Sequence, residues 1–192
     1  RSAILFLYEA VLQRTVQNLA GLVRPAEPAR LPVVLSRDEV RRLLAAMNGT
    51  SRLVAMLLYG AGLRLTEALE LRVKDVDLDR AQIAVCQAKG RKDRQTMLPT
   101  SAAPLLQQHL ARVKAVHDSD VKAGAGRVVL PGALAAKFKG ASVSWAWQFV
   151  FPAARRSTDP RTGSQTRFHL HEAATQRAVT GAVRAAGITK RA

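Results

Sequence analysis

The chain has 192 residues, 48% of them hydrophobic, with 30 Lys and Arg against 14 Asp and Glu, for a formal net charge of +16. That apolar content supports one well-buried domain with an appendage and excludes a disordered tail, and so large a positive excess costs self-repulsion unless a polyanion shares the surface, which makes nucleic acid the leading partner. A single cysteine, Cys86, excludes an internal disulfide and cannot alone build a zinc site, and the lack of any run near the ~20 apolar residues of a membrane span excludes that partner, so a reducing, cytoplasmic setting is expected.

In residues 4–23, Leu5, Tyr8, Leu12, Val16, Leu19 and Val23 recur at three-to-four-residue spacing, which predicts an amphipathic helix needing a partner for its apolar face. Arg1-Ser2-Ala3 carries neither an initiator methionine nor a signal-peptide pattern, so both ends are expected to be cuts through a longer protein. Residues 24–32 hold three prolines, which favour an extended connector and mark the domain boundary. Ser36-Arg37-Asp38-Glu39 then has the capping-box pattern and predicts a helix through Met47.

Residues 53–59 continue helical, Gly60 and Gly62 interrupt, and residues 66–71 resume, leaving Arg64 where two helices nearly meet. Residues 82–86 and 94–98 read as short strands around Lys89-Gly90-Arg91-Lys92, with Pro99 ending the hairpin. Helical periodicity returns over 101–117. From 118 to 148 the pattern is broken by glycines and prolines, with a short helix at 134–138; residues 149–152 resemble a brief strand, and 154–166 a polar, basic loop. A last helix is expected over 171–186, closed by Gly187.

Several of these residue types suit phosphate chemistry. Arg64 offers a planar, permanently charged fork that can donate two hydrogen bonds to one phosphate; its bland alternative is a structural arginine bound to a carboxylate such as Glu67. Lys89, at a hairpin tip, can reach a leaving oxygen with a proton, although a solvated turn lysine is the commoner fate. Glu67 and Asp75, flanked by Arg72 and Lys74, suit ion pairing better than a metal site. Trp145 and Trp147 would share one face if extended, core packing being the usual role. His109 and His117 lie eight residues apart, too far for a two-histidine metal site, and read as surface or helix-end residues; Cys86 reads as a small buried hydrophobe. No metal and no cofactor are expected.

Gly60-Ala61-Gly62-Leu63-Arg64-Leu65-Thr66-Glu67-Ala68-Leu69-Glu70-Leu71 and Lys89-Gly90-Arg91-Lys92-Asp93-Arg94 together resemble the arginine box and hairpin-lysine box of the tyrosine recombinases, the phage integrase family. Residues 118–148, with Arg167-Phe168-His169-Leu170-His171-Glu172, resemble the additional segment of the integron integrases. The resemblance implies a mainly α fold with a small antiparallel β-sheet: residues 1–23 as the last helix of the N-terminal core-binding domain, 24–35 as linker, and 36–192 as an incomplete catalytic domain with the insertion at about 118–148. It implies that Arg64 holds the scissile phosphate, that Lys89 donates a proton to the leaving group, and that Arg91, Lys92 and Arg94 contact the DNA backbone. Trp147, Pro160 and His169 would grip bases flipped out of a folded single-strand site by stacking; Phe168 stands where members often have a second histidine.

The implied activity is site-specific recombination through a phosphotyrosine, on duplex and folded single-strand DNA, by a tetramer needing no cofactor. Yet no tyrosine follows Tyr59, and a His-x-x-Arg box would begin about where the chain stops. The chain is therefore expected to be inactive alone and its four-subunit assembly weakened or absent. The rival readings are a non-catalytic DNA-binding fragment and, on charge alone, a basic RNA-binding protein.

Overall fold

A computed structural model describes residues 6–14, 33–88, 92–131, 134–138, 140–159 and 163–190, with the backbone alone at 87, 88, 92, 135 and 136. The chain divides into two compact units, Arg1–Val33 and Val34–Ala192. In the first, a single π turn spans Leu7–Val11 and buries no residue; Gln13 then takes φ 49°, so the continuous helix expected over 4–23 is interrupted. An amphipathic segment without a packed face gains little to offset the cost of nucleating a helix. The rest of that helix and most of the 24–35 linker lie outside the described residues.

The second unit is mainly helical with a small antiparallel sheet. Helix α1 (Arg37–Ala45) begins at the anticipated capping box, Glu39 N–H donating to Ser36 Oγ and Ser36 N–H to Glu39 Oε2. Helix α2 (Gly49–Gly60) and the short α3 (Leu65–Leu69) follow. Strands β1 (Val76–Asp77), β2 (Gln82–Ala88) and β3 (Lys92–Met97) form a sheet in sequence order, with Val85 opposite Arg94 and a bulge between Val85 and Ala88. Helix α4 (Ala103–Lys122) runs five residues beyond its expected end and takes in the first residues of the anticipated insertion. Helix α5 (Leu134–Lys137), a two-strand pair β4 (Ser157–Thr158) and β5 (Gln165–Thr166), and α6 (Glu172–Ala185) complete it.

The main core gathers Leu57, Leu69, Ile83, Leu106, Val150 and Phe151 between α2, α3, the sheet and α4. A second cluster, Leu43, Met47, Ala55, Ala182 and Ile188, seats α6 on α1 and α2. Lys190 reaches back to Glu39 at 2.8 Å, tying the end of the described chain to the first cap. Gly187, at φ 61°, closes α6 as expected, with Ile188 N–H donating to Val183 O.

Four local expectations are corrected. His109 and His117 are buried, because α4's inward stripe runs Leu106, His109, Val113, His117, Asp120 and so includes both rings. Cys86 is exposed, since Ile83 and Val85 take the inward positions of β2 and strand alternation turns Cys86 outward. Trp145–Trp147 is a 3-10 turn rather than an extended segment, so the two indoles diverge, three residues per turn separating i from i+2. Residues 149–152 pair only at isolated bridges, Arg72 with Phe149 and Pro152 with His169; one partner residue at a time does not make a strand.

Candidate nucleic-acid interface

Two glycines place Arg64. A Cβ on Gly60 would lie 2.5 Å from Pro99 Cγ, and Gly62 adopts φ 64°, a left-handed conformation that side chains disfavour. The turn is further tied to β3 by Thr96 Oγ1 donating to Ala61 O at 2.8 Å. Arg64 is thus delivered at the mouth of α3 against the hairpin.

One carboxylate organises what surrounds it. Glu67 accepts from Arg64 N–H at 2.8 Å and Arg64 Nη1 at 2.7 Å, and from Arg94 Nη1 at 2.9 Å and Nη2 at 2.7 Å. Its side chain is 9% exposed, whereas that of Arg64 is 57% exposed. The Arg94 hydrogen bonds, followed by those from Arg64, hold the Glu67 carboxyl down to about 2 despite its burial. Both the ion pairing anticipated for Glu67 and the solvent-facing guanidinium needed for phosphate binding are therefore present: Arg64 gives Glu67 one of its five side-chain N–H donors. Arg94, expected on the DNA backbone, is held by Glu67 in the free chain. Lys92 lies in β3; Lys89, Arg91 and Pro160 lie outside the described residues.

A cleft of about 480 Å³ opens beside Arg64 and extends to Arg72, Lys74, Trp147, Phe149 and His169. The arginine box and the aromatic residues Trp147, Phe149 and His169, remote in sequence, thus share one concavity. Its acids are Glu67, Glu70 and Asp75; Glu67 is occupied as described, and Asp75 pairs with Lys74. Cys86 also faces it, with its thiol pushed up by partial burial and by the Asp75 carboxylate, a poor setting for a nucleophile. Among the described residues no group of three or more metal-ligating side chains gathers.

The aromatic wall rests on Arg72 and Lys74, for which the sequence suggests ion pairing alone. Arg72 donates from Nη1 to Trp147 O at 2.7 Å and from Nη2 to Val129 O at 2.9 Å, while its guanidinium carbon stands 4.2 Å from the Phe149 ring centre. Burial disfavours the charge on Arg72, and Asp75 and Glu70 offset that. Lys74 Nζ sits 4.7 Å from the Trp147 ring centre. Trp145, by contrast, stands 5.8 Å from His117 and lines a different, open groove beside Lys114.

His169 reaches the cleft because 168–170 runs antiparallel to 151–153: Ala153 N–H donates to Phe168 O and Leu170 N–H to Phe151 O, each at 2.7 Å. Its ring lies 4.2 Å from that of Phe168 and meets Phe149 edge-on at 5.4 Å. Nδ1 is 2.8 Å from the Leu170 carbonyl, which can only accept, so Nδ1 is the donor in that bond. Arg167 braces this corner, donating to Asp120 at 2.6 and 3.0 Å and to the Ala153 and Ala154 carbonyls at 2.8 Å. The same contact pulls the Asp120 carboxyl below its ordinary range. No periodicity announces an arginine that meets an aspartate 47 residues away.

The chain as a whole is similar to known proteins. The phage integrase family matches residues 33–192. An "Integrase/recombinase" from Escherichia coli and another from Pseudomonas aeruginosa are each 47% identical over 189 residues, which is 98% of this chain and 56% of either relative. The tyrosine recombinase XerA of Thermococcus kodakarensis is 45% identical over 89 residues, covering 45% of this chain and 32% of its own. A crystal structure of a XerA recombinase superposes with a TM-score of 0.54 at 23% identity, over 100% of this chain and 54% of that one, and supports the fold. The chain spans about half the length of the curated relatives it matches over nearly all of its own residues. By the family match over residues 33–192 and the identity to these relatives, the chain belongs to the phage integrase family of tyrosine recombinases.

Proposed function

We propose that this chain is part of an integron-type site-specific recombinase, in which Arg64 and Lys89 act on a DNA phosphate while Trp147, Pro160 and His169 hold an unpaired base. Residues 36–192 would supply an incomplete catalytic domain, 24–35 the linker and 1–23 the end of an N-terminal clamp. In the reaction, a tyrosine oxygen bonds to phosphorus, the 5′ oxygen leaves and takes a proton from Lys89, and the guanidinium of Arg64 stabilises the charge gathered on the non-bridging oxygens. Another strand's 5′ hydroxyl then reverses the step.

The observation that carries this reading is the single cleft with Arg64 at one end and Trp147 and His169 at the other. A phosphate docked on the exposed face of Arg64 would share this cleft with an indole and an imidazole, and aromatic faces accept any base without reading it. With tyrosines only at Tyr8 and Tyr59, both ahead of Arg64, these 192 residues are expected to bind without cleaving, and a tetramer is proposed for the longer protein only.

Fluorescence anisotropy tests it with three ligands at one salt concentration: a DNA hairpin with an extrahelical base, the same hairpin fully paired, and a structured RNA. Preference for the first is expected; a clear win for RNA would favour the rival reading. A substrate with a bridging sulfur should trap no covalent adduct, and finding one would refute the expectation of inactivity.

A further inference from the structure

We infer that Arg72 is a positioning residue for the base-binding wall of the cleft, an inference that rests on the stacking role proposed for Trp147. The Arg72 main chain belongs to the arginine-box side, in the segment leaving α3, where its N–H donates to Asp75 Oδ2 at 3.1 Å. Its guanidinium belongs to the other side. Two N–H groups diverge to the carbonyls of Trp147 and Val129, and the planar face covers Phe149. One side chain thus fixes three points of the aromatic wall at a set distance from the helix that begins at Arg64.

The flanking backbone runs the same way. Val73 N–H donates to Gln148 O at 3.0 Å and Val150 N–H to Leu71 O at 2.8 Å, on either side of the Arg72–Phe149 bridge. These bonds register the two segments, but they leave Trp147 at the end of a 3-10 turn, beyond the last of them. The Trp147 carbonyl is where Arg72 adds its shortest bond, so it is the orientation of that residue, rather than the joining of the segments, that depends on the fork. Lysine cannot substitute: an ammonium is a point donor, with no second planar arm for Val129 and no face for Phe149.

The full chain and three variants, Arg72→Lys, Arg72→Gly and Trp147→Ala, are titrated with a hairpin bearing one extrahelical base and with its fully paired counterpart, and melting temperatures are recorded. Arg72→Lys should lower the ratio of the two affinities roughly tenfold, the scale of one base–aromatic stack, through a selective loss on the hairpin with the extrahelical base. Methylguanidinium in solution should restore the ratio in Arg72→Gly. If Trp147→Ala lowers the ratio and Arg72→Lys does not, the positioning role is refuted. Equal losses on both hairpins with a depressed melting temperature assign Arg72 a structural role only, also against the inference. Should Trp147→Ala leave the ratio untouched, the stacking reading itself falls, and the role of Arg72 with it.

Discussion

The two ends of the cleft are built on different plans. At the Arg64 end, one carboxylate, Glu67, gathers two guanidiniums and a backbone N–H, two of its four hydrogen bonds coming from Arg64 in the same turn and two from Arg94 on β3. At the aromatic end the order is spread over carbonyl groups: Arg72 and Arg167 between them hold four main-chain oxygens from three segments. A concentrated design depends on one side chain, whereas a distributed one is expected to lose its geometry in increments. The former suits a charge that must meet a phosphate in one place; the latter suits a wall whose task is to present ring faces.

Breaking the concentrated end should have the largest effect. Glu67→Ala leaves two neighbouring guanidiniums without a counter-charge, and a loss of about 2 kcal/mol is expected in urea unfolding, the full value for a buried pair being reduced because Arg64 faces solvent. An unchanged midpoint would mean that the carboxylate is not the organiser. At the distributed end, Arg167→Ala should cost somewhat less, about 1.5 kcal/mol, since only one of its acceptors, Asp120, is a largely buried charge. A loss larger than that of Glu67→Ala would reverse the comparison.

Gly60→Ala tests the turn itself. The added methyl would meet the Pro99 ring at 2.5 Å, and a destabilisation of about 1 kcal/mol or more is expected on thermal melting. Acid titration sharpens the contrast without mutation. Because Glu67 has a folded pKa of about 2 against an ordinary 4.5, its contribution is complete above pH 4.5 and disappears as pH falls towards 2. His109 is held neutral by burial, its pKa lowered, so its share of stability is lost as pH falls below its ordinary value of 6.5. Glu67→Gln should flatten the lower window alone; if it flattens both, the two groups are coupled. The smallest effect is assigned to Cys86→Ser, exposed and without a role in the cleft's frame, for which an unchanged melting curve is expected.

Much of the frame was legible because it is local. Ser36 and Glu39 announce a helix start by spacing alone, Gly60 and Gly62 mark a turn that other residues would strain, and the strands expected at 82–86 and 94–98 form at Gln82–Ala88 and Lys92–Met97. The mainly helical fold with a small sheet was implied by the family resemblance, and these local signals agree with it. The aromatic region was legible in composition but not in geometry. Trp145 and Trp147 stand two residues apart, and whether they share a face depends on a backbone choice that Gln148 stabilises by donating its side-chain amide to carbonyls at Gly126, Ser142 and Ser144. His109 and His117 fall on the core-facing stripe of α4, a placement that their eight-residue spacing does not reveal.

By itself, then, the sequence determined the chemistry on offer: an arginine presented at a glycine-built turn, a basic hairpin, a surplus of positive charge, and stacking residues in its second half. Each depends on neighbours a few positions away, where backbone geometry is set by short-range sterics and hydrogen bonds. Only the tertiary structure decided that Arg64 and Trp147 open onto one cleft, that Arg72 reaches the main-chain carbonyl of Trp147, 75 residues on, and that Asp120 finds Arg167. Contacts of that range are selected by packing of the whole core, which no periodicity along the chain records.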